Sequence, residues 1–305
     1  MRQRQLTKVV ALVNTQAGAG AVHAGLAERI TAAFSRYGIS GSVELHAPHD
    51  LSARAHQLLT DVRQRQVDAI VAGGGDGSIQ SIAAVLAGTG VPLGILPLGT
   101  LNHFAKDVGI PLELEAAVRV IALARFRAVD VAQVNDSIFI NNSSIGVYPY
   151  LVLDRDRRRR KTGIRKWAAL VKAALRTLRH IPVRRLRVCL KGQEEPFRTP
   201  CLFVGNNEYG LEPVSFGGRT RLDEGALWVC IAKQTTPLSL IWLALRSVFG
   251  LVDPGELRIL RTEEVDIMTR TSRLLVALDG EVKIMRPPLH FQIKPGALLV
   301  YAPSV

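Results

Sequence analysis

Over its first 130 residues this chain alternates short apolar runs with stretches of helical period, and that alternation narrows the fold more than any other feature. Val9–Val13, Ser42–His46, Ala69–Ala72 and Pro92–Leu96 read as strands. Ala21–Tyr37, Leu51 to about Gln66, a helix ending near Ala87, and Leu112–Leu123 read as helices. Strands separated by helices of this length predict a parallel, doubly wound sheet. Ligands of such sheets sit outside the carboxyl ends of the strands. Three loops fall on that edge: Asn14–Gly20, Gly73–Ser78 and Pro97–Asn102.

The middle loop is the most informative. Gly73-Gly74-Gly75-Asp76-Gly77-Ser78 follows a strand and opens a helix with Ile79, Ile82, Ala83 and Leu86 on one side. Glycines let backbone N–H groups approach phosphate oxygens, and the positive end of the helix favours the charge. The run lacks the Gly-Lys-Ser/Thr ending of a Walker A loop. A carboxylate beside phosphate is repulsive unless a divalent cation or a proton-accepting task accompanies it, so Asp76 points to one of these. A ligand-free glycine turn is the plainer alternative. In the neighbouring loop, Thr100 offers a hydroxyl to a phosphate and Asn102 an amide, or Asn102 caps the following helix. Asn14, with Gly18 and Gly20, offers a backbone nest.

After Val129-Asp130-Val131 short alternating runs take over, among them Ser137–Asn141, Leu186–Leu190, Cys201–Val204, Leu227–Ile231, Glu264–Met268, Leu274–Leu278, Leu289–Ile293 and Leu298–Tyr301. They predict a mostly antiparallel β-sandwich interrupted by helices near Ile164–His180 and Leu238–Phe249. The expected organisation is thus an α/β domain over residues 1–130 and a β-domain over 131–305, with a cleft between them and the last strand able to return to the first domain. In Leu278-Asp279-Gly280-Glu281 two carboxylates flank a glycine, the arrangement for a base that takes a hydroxyl proton. Asp-Gly between apolar runs is equally the signature of a type I′ hairpin.

Composition adds two constraints. The net charge of +13 is concentrated: Arg155 to Arg187 carries fourteen Arg/Lys against Asp156 alone. Such a segment, with Trp167, Leu170, Leu175 and Leu178 at helical spacing, fits an anionic membrane surface better than nucleic acid, which is not expected as a partner. The three cysteines match no metal spacing and suit a reducing compartment. No export signal is legible, and the longest apolar stretch, Leu238–Leu251, is too short to span a bilayer. A cytoplasmic protein attached peripherally to the inner membrane face is the expectation, and a homodimer is compatible with it.

Joined together, Gly74-Gly75-Asp76-Gly77-Ser78, Pro97-Leu98-Gly99-Thr100-Leu101-Asn102-His103-Phe104-Ala105, Phe203-Val204-Gly205-Asn206-Asn207, Asp223-Glu224-Gly225-Ala226-Leu227 and Leu278-Asp279-Gly280-Glu281 resemble the diacylglycerol-kinase-type lipid kinases, especially their soluble bacterial branch. The resemblance implies ATP as phosphoryl donor and Mg²⁺ bridging its phosphates, with Asp76 nearby. It implies that Gly74, Gly75, Asp76, Gly77 and Ser78 cradle the phosphates, that Asn14, Thr100 and Asn102 help hold the nucleotide, and that Asp279 and Glu281 supply the general base for a lipid hydroxyl. It further implies a structural magnesium at Glu224, with backbone carbonyls from Arg221 and Ala226. An NAD kinase shares the glycine loop and the sandwich, and a non-catalytic nucleotide- or nucleic-acid-binding paralogue is the other alternative. The chain departs from the family pattern at Asn14-Thr15-Gln16-Ala17-Gly18, where the usual proline and serine are missing. It also departs at Ser78 for threonine, at His103 for an aspartate, and at Glu224 for an aspartate.

Overall fold

The computed structural model describes residues 8–16, 25–64, 66–159, 183–210, 218–219, 221–233 and 254–303, with the backbone alone over 154–159. The helices predicted at Ile164–His180 and Leu238–Phe249, and most of the basic segment from Arg155 to Arg187, lie outside the described residues. The chain divides into two compact units. Unit 1 comprises residues 1–131, 221–224 and 294–305, and unit 2 comprises 132–220 and 225–293.

Unit 1 carries the parallel sheet. Strands β1 (Lys8–Asn14), β2 (Ser40–His46), β3 (Ala69–Gly74) and β4 (Leu93–Pro97) lie in the order β2-β1-β3-β4. Every pairing is parallel, with Val10 beside Ser42 and Ile70, and Val71 beside Gly94. Helices α1 (Leu26–Arg36), α2 (Leu51–Arg63), α3 (Asp76–Leu86), α4 (His103–Val108) and α5 (Leu114–Ala122) connect the strands. Helix α1 packs with α5, and α2 with α3. With helices on both faces, β3 and β4 are buried at every residue, which is why they read as continuous apolar runs. The chain returns here at its end: Val300 pairs in parallel with Leu93, and the Gly296 N–H donates to Asp130 Oδ1 at 2.8 Å.

Unit 2 is antiparallel. After β5 (Phe126–Val134), whose last three residues enter this unit, come β6 (Ser137–Phe139), β7 (Asn142–Gly146) and α6 (Val147–Arg159). There follow β8 (Arg184–Leu190), β9 (Gln193–Thr199), β10 (Cys201–Asn206), β11 (Leu227–Ala232), β12 (Leu257–Thr262), β13 (Glu264–Met268), β14 (Leu274–Leu278), β15 (Glu281–Met285) and β16 (Leu289–Tyr301). One sheet runs β12-β11-β10-β7-β14-β15. A second set places residues 289–293 of β16 beside β13, then β8, then β9. Phe139, Phe291, Val204, Val229, Ile267 and Val276 share one core between them. The two runs predicted at Leu289–Ile293 and Leu298–Tyr301 are a single strand that serves both units.

The three cysteines are free, and burial pushes the Cys201 thiol up to about 11 and Cys230 to about 12. Neither is a nucleophile near neutral pH. Among the described residues no helix is long and apolar enough to cross a membrane.

Candidate active site

In unit 1 two glycine turns meet at the carboxyl ends of β3 and β4. Gly75 is the N-cap of α3, in extended backbone, and Asp76 is its first residue. The Leu98 N–H donates to the Gly74 carbonyl at 2.9 Å, which ties the second turn to the first. Contact between the turns is closer than any side chain allows. A Cβ on Gly99 would stand 2.4 Å from Gly75 Cα, and one on Gly74 would stand 2.6 Å from Ser78 Oγ. Glycine is required at both for this reason of space, with backbone conformation playing no part.

The polar side chains around these turns have distinct tasks. Asp76 is half-buried; its Oδ1 accepts the Phe104 N–H at 3.0 Å, while Oδ2 has no partner among the described residues. Ser78 is buried, and its Oγ accepts from Asn14 Nδ2 at 2.7 Å. Asn14 in turn accepts the Gln16 N–H at 2.8 Å, so the first-strand loop and the glycine loop are fastened together. Asn102 adopts a left-handed conformation at φ 49° and is 3% exposed. Its Oδ1 accepts the Gly99 N–H at 3.0 Å and its Nδ2 donates to the Gly99 carbonyl at 2.8 Å. It therefore shapes the Pro97–Asn102 turn from within. Thr100 stands exposed on that turn.

In unit 2 the Asp279-Gly280 pair forms a two-residue hairpin turn between β14 and β15, closed by the pairing of Leu278 with Glu281. Positive φ at both, 48° and 85°, makes it type I′. The turn also builds a site. Asp279 Oδ1 accepts the N–H groups of Asn141 at 2.8 Å and Asn142 at 3.0 Å, and Oδ2 accepts that of Ile140 at 2.8 Å. Two carboxylate oxygens offer about four acceptor positions, so one on Oδ2 is left over. Burial pushes the Asp279 carboxyl up to about 6, against the three N–H groups and the Arg219 charge, which pull it down. Glu281 is exposed.

Sequence reasoning overlooked what holds this turn in place. Arg219 is 5% exposed and donates to the carbonyls of Ile140 at 2.7 Å and Asn206 at 3.0 Å, and to Asn141 Oδ1 at 2.7 Å. Its guanidinium lies over the Tyr209 ring, 5.6 Å from the centroid. Asn206 Nδ2 donates to the Ile140 carbonyl at 2.8 Å. Residues 140–142 are thus clamped on their carbonyl side by Arg219 and Asn206 and on their N–H side by Asp279. The pairs Asn141-Asn142 and Asn206-Asn207 were the available signal.

Of the magnesium set, Arg221 and Glu224 fall in unit 1 and Ala226 in unit 2, where its carbonyl accepts the Asn207 N–H at 3.1 Å. Asp223 is engaged by Arg221 at 3.2 Å. Among the described residues no three His, Cys, Asp or Glu side chains cluster where a metal could be held.

Known proteins share both units. Residues 8–134 match the diacylglycerol kinase catalytic domain, and residues 154–302 match the YegS C-terminal NAD kinase beta sandwich-like domain. A protein named as a YegS-like lipid kinase in Klebsiella pneumoniae is 42% identical over 95 residues, 30% of this chain and 32% of that one. An uncharacterized Synechocystis protein is 25% identical over 241 residues, 77% of this chain and 54% of that one. The matched segments span about a third of the length of the YegS-like relatives. A crystal structure of a diacylglycerol kinase from Bacillus anthracis superposes with a TM-score of 0.69 at 21% identity, over 98% of each chain. A second structure from that organism reaches 0.74 at 20% identity, over 98% of this chain and 99% of that one. At these identities the superpositions speak to the fold, while the two sequence matches cover nearly all of the chain. It belongs to the diacylglycerol kinase catalytic-domain family, with a C-terminal domain of the YegS type.

Proposed function

We propose that this protein transfers the γ-phosphoryl group of ATP to the hydroxyl of a diacylglycerol-like lipid. The observation that carries the reading is the pair of interlocked glycine turns at the helix α3 N-terminus, beside a carboxylate with one oxygen unengaged. The Gly74–Ser78 backbone takes the phosphates, the exposed Thr100 hydroxyl adds a donor, and Asn14 and Asn102 hold the two turns in shape. Asp76 suits a bound Mg²⁺, which is commonly held by one or two carboxylates plus substrate phosphates. When bound, that ion neutralises charge that develops on the phosphates. Asp279 accepts the proton of the attacking hydroxyl through the free position on Oδ2, and the exposed Glu281 lies two residues on. Phosphoryl transfer asks mainly for positioning and charge, and the clamped 140–142 segment supplies a rigid seat for the base.

The proposed setting is the cytoplasmic membrane face, with the basic segment drawn to anionic lipid. The sandwich-like match of unit 2 to an NAD kinase type favours NAD as a second acceptor to be tested. Incubation with γ-labelled ATP and either a lipid extract or NAD, followed by mass spectrometry, separates the two. Labelled lipid is expected, and labelled NADP with unlabelled lipid would reverse the assignment.

The Gly99→Ala variant gives a second check. Its Cβ must part the two turns, since Gly75 Cα would lie 2.4 Å away. Overpacking of this kind costs about 1–3 kcal/mol of stability. Calorimetric titration with ATP is expected to show nucleotide affinity at least about tenfold lower, in line with a donor loop displaced from its ligand.

A further inference from the structure

Arginines on β8, on β9 and just past the end of β13 gather on the face of unit 2 turned away from its core. Along β8, Leu186 and Val188 are buried while Arg185 and Arg187 are exposed. Antiparallel register sets Arg185 directly opposite Arg198 on β9, and Arg187 opposite Met268 on β13. Two residues past the end of β13, Arg270 lines the same groove as Arg185 and Arg198, and the Thr269 hydroxyl donates to the Arg185 carbonyl at 3.3 Å. Arg198 and Arg185 therefore stand side by side, and Arg270 faces the same groove. Directly opposed like charges destabilise a sheet, so such a cluster needs a counter-charge.

The protein does not provide one among its described residues. The nearby acids are engaged: Glu194 pairs with Arg187 at 3.0 Å and Glu195 with Arg258 at 3.6 Å. The side chains of Arg185, Arg198 and Arg270 have no partner among the described residues. They line a groove of about 700 Å³ that also includes Pro196, Phe197 and Met268. Pro196 and Met268 flank Arg187 in the adjacent row of the same face. Charge and apolar surface thus lie one row apart.

We infer that this groove binds the anionic head group of a membrane phospholipid, with the phosphate over Arg198, Arg185 and Arg270 and the glycerol and upper acyl carbons against Pro196 and Met268. Clustered guanidinium groups match phosphate oxygens in fork geometry, and the apolar row rewards a phosphate that carries a hydrocarbon body over a free one. The site lies on β8, β9 and β13, whereas the Asp279 turn joins β14 and β15. It is independent of the kinase reading, because lipid binding is measured without nucleotide.

The test is sedimentation with phosphatidylcholine vesicles that contain phosphatidylglycerol, using the full chain. One variant carries Arg185→Gln, Arg198→Gln and Arg270→Gln; a control of equal charge carries Lys191→Gln, Lys283→Gln and Arg286→Gln. Each cation at an anionic surface contributes roughly fivefold in affinity, so the groove variant is expected to bind at least about tenfold more weakly than the control. Thermal stability should be unchanged or raised in the groove variant, since removing opposed like charges relieves the sheet. Equal losses in the two variants, or none in either, would overturn the assignment. So would displacement from vesicles by millimolar inorganic phosphate, which would mean a soluble anion, or arginine-dependent binding of single-stranded RNA in place of vesicles.

Discussion

Asp279→Asn is expected to remove phosphoryl transfer while leaving nucleotide affinity intact. The substitution keeps one oxygen for the Asn141 and Asn142 N–H groups but turns an amide NH₂ toward the Ile140 N–H, which the carboxylate meets at 2.8 Å. A buried donor left facing a donor costs about 1–3 kcal/mol. An amide is also too weak a base to take a hydroxyl proton, and loss of a positioned base costs roughly 10²–10⁴ in rate. The wild-type group sets a pH signature. Its folded-state value of about 6 lies above its ordinary 3.8, so its contribution to stability is complete below about pH 4 and lost as pH rises through about 6. Catalysis runs the other way, since only the ionised form accepts a proton. The rate kcat/KM is expected to rise with pH through about 6 and then level. For the same reason the stability deficit of Asp279→Asn should be larger at pH 5 than at pH 8, where the wild type bears the burden of a buried charge.

Asp76→Asn is the second large effect, and it separates charge from architecture. Asparagine still accepts the Phe104 N–H through Oδ1, so the link between α3 and α4 survives. The loss of a negative charge at the helix N-terminus lowers stability by less than about 1 kcal/mol. The unengaged Oδ2, in contrast, is replaced by a donor that no cation tolerates. A cation site at a phosphoryl group contributes several kcal/mol to the transition state, and about 4 kcal/mol corresponds to roughly a thousandfold in rate. Turnover reduced by about that factor with a near-normal melting temperature is expected from steady-state kinetics and thermal unfolding. Near-normal turnover would remove Asp76 from the chemistry.

Some of this was legible in the sequence because one physical signal dominated each element. Buried parallel strands such as β3 and β4 must be apolar on both faces, and the glycine loop must follow one of them. Strand β13 alternates and β14 is a short, mostly buried apolar run, and their limits at Glu264–Met268 and Leu274–Leu278 match the reading residue for residue. Strands β7 and β9 are different. Asn142-Ser143-Ser144 has little strand propensity and pairs through its position between β10 and β14. Strand β9 is the sheet edge and carries Glu194, Glu195 and Pro196, residues that guard an edge against further pairing and so disguise the strand. Asp279 reads from sequence as either a hairpin residue or a base; the structure gives it the hairpin geometry and a carboxyl that burial pushes up to about 6. Asn102 and Arg219 act through backbone contacts dozens of residues apart or folded back on themselves, which no local pattern encodes.

In the proposed transfer from ATP to a lipid hydroxyl, the Gly74–Ser78 loop takes the phosphates and Asp279 accepts the proton. The most direct measurement compares wild type with Asp279→Asn for both ATP affinity and transfer of labelled γ-phosphate to dispersed diacylglycerol. Unchanged affinity with labelled lipid from the wild type alone is the expected result. Labelled lipid formed at the wild-type rate by Asp279→Asn would contradict it.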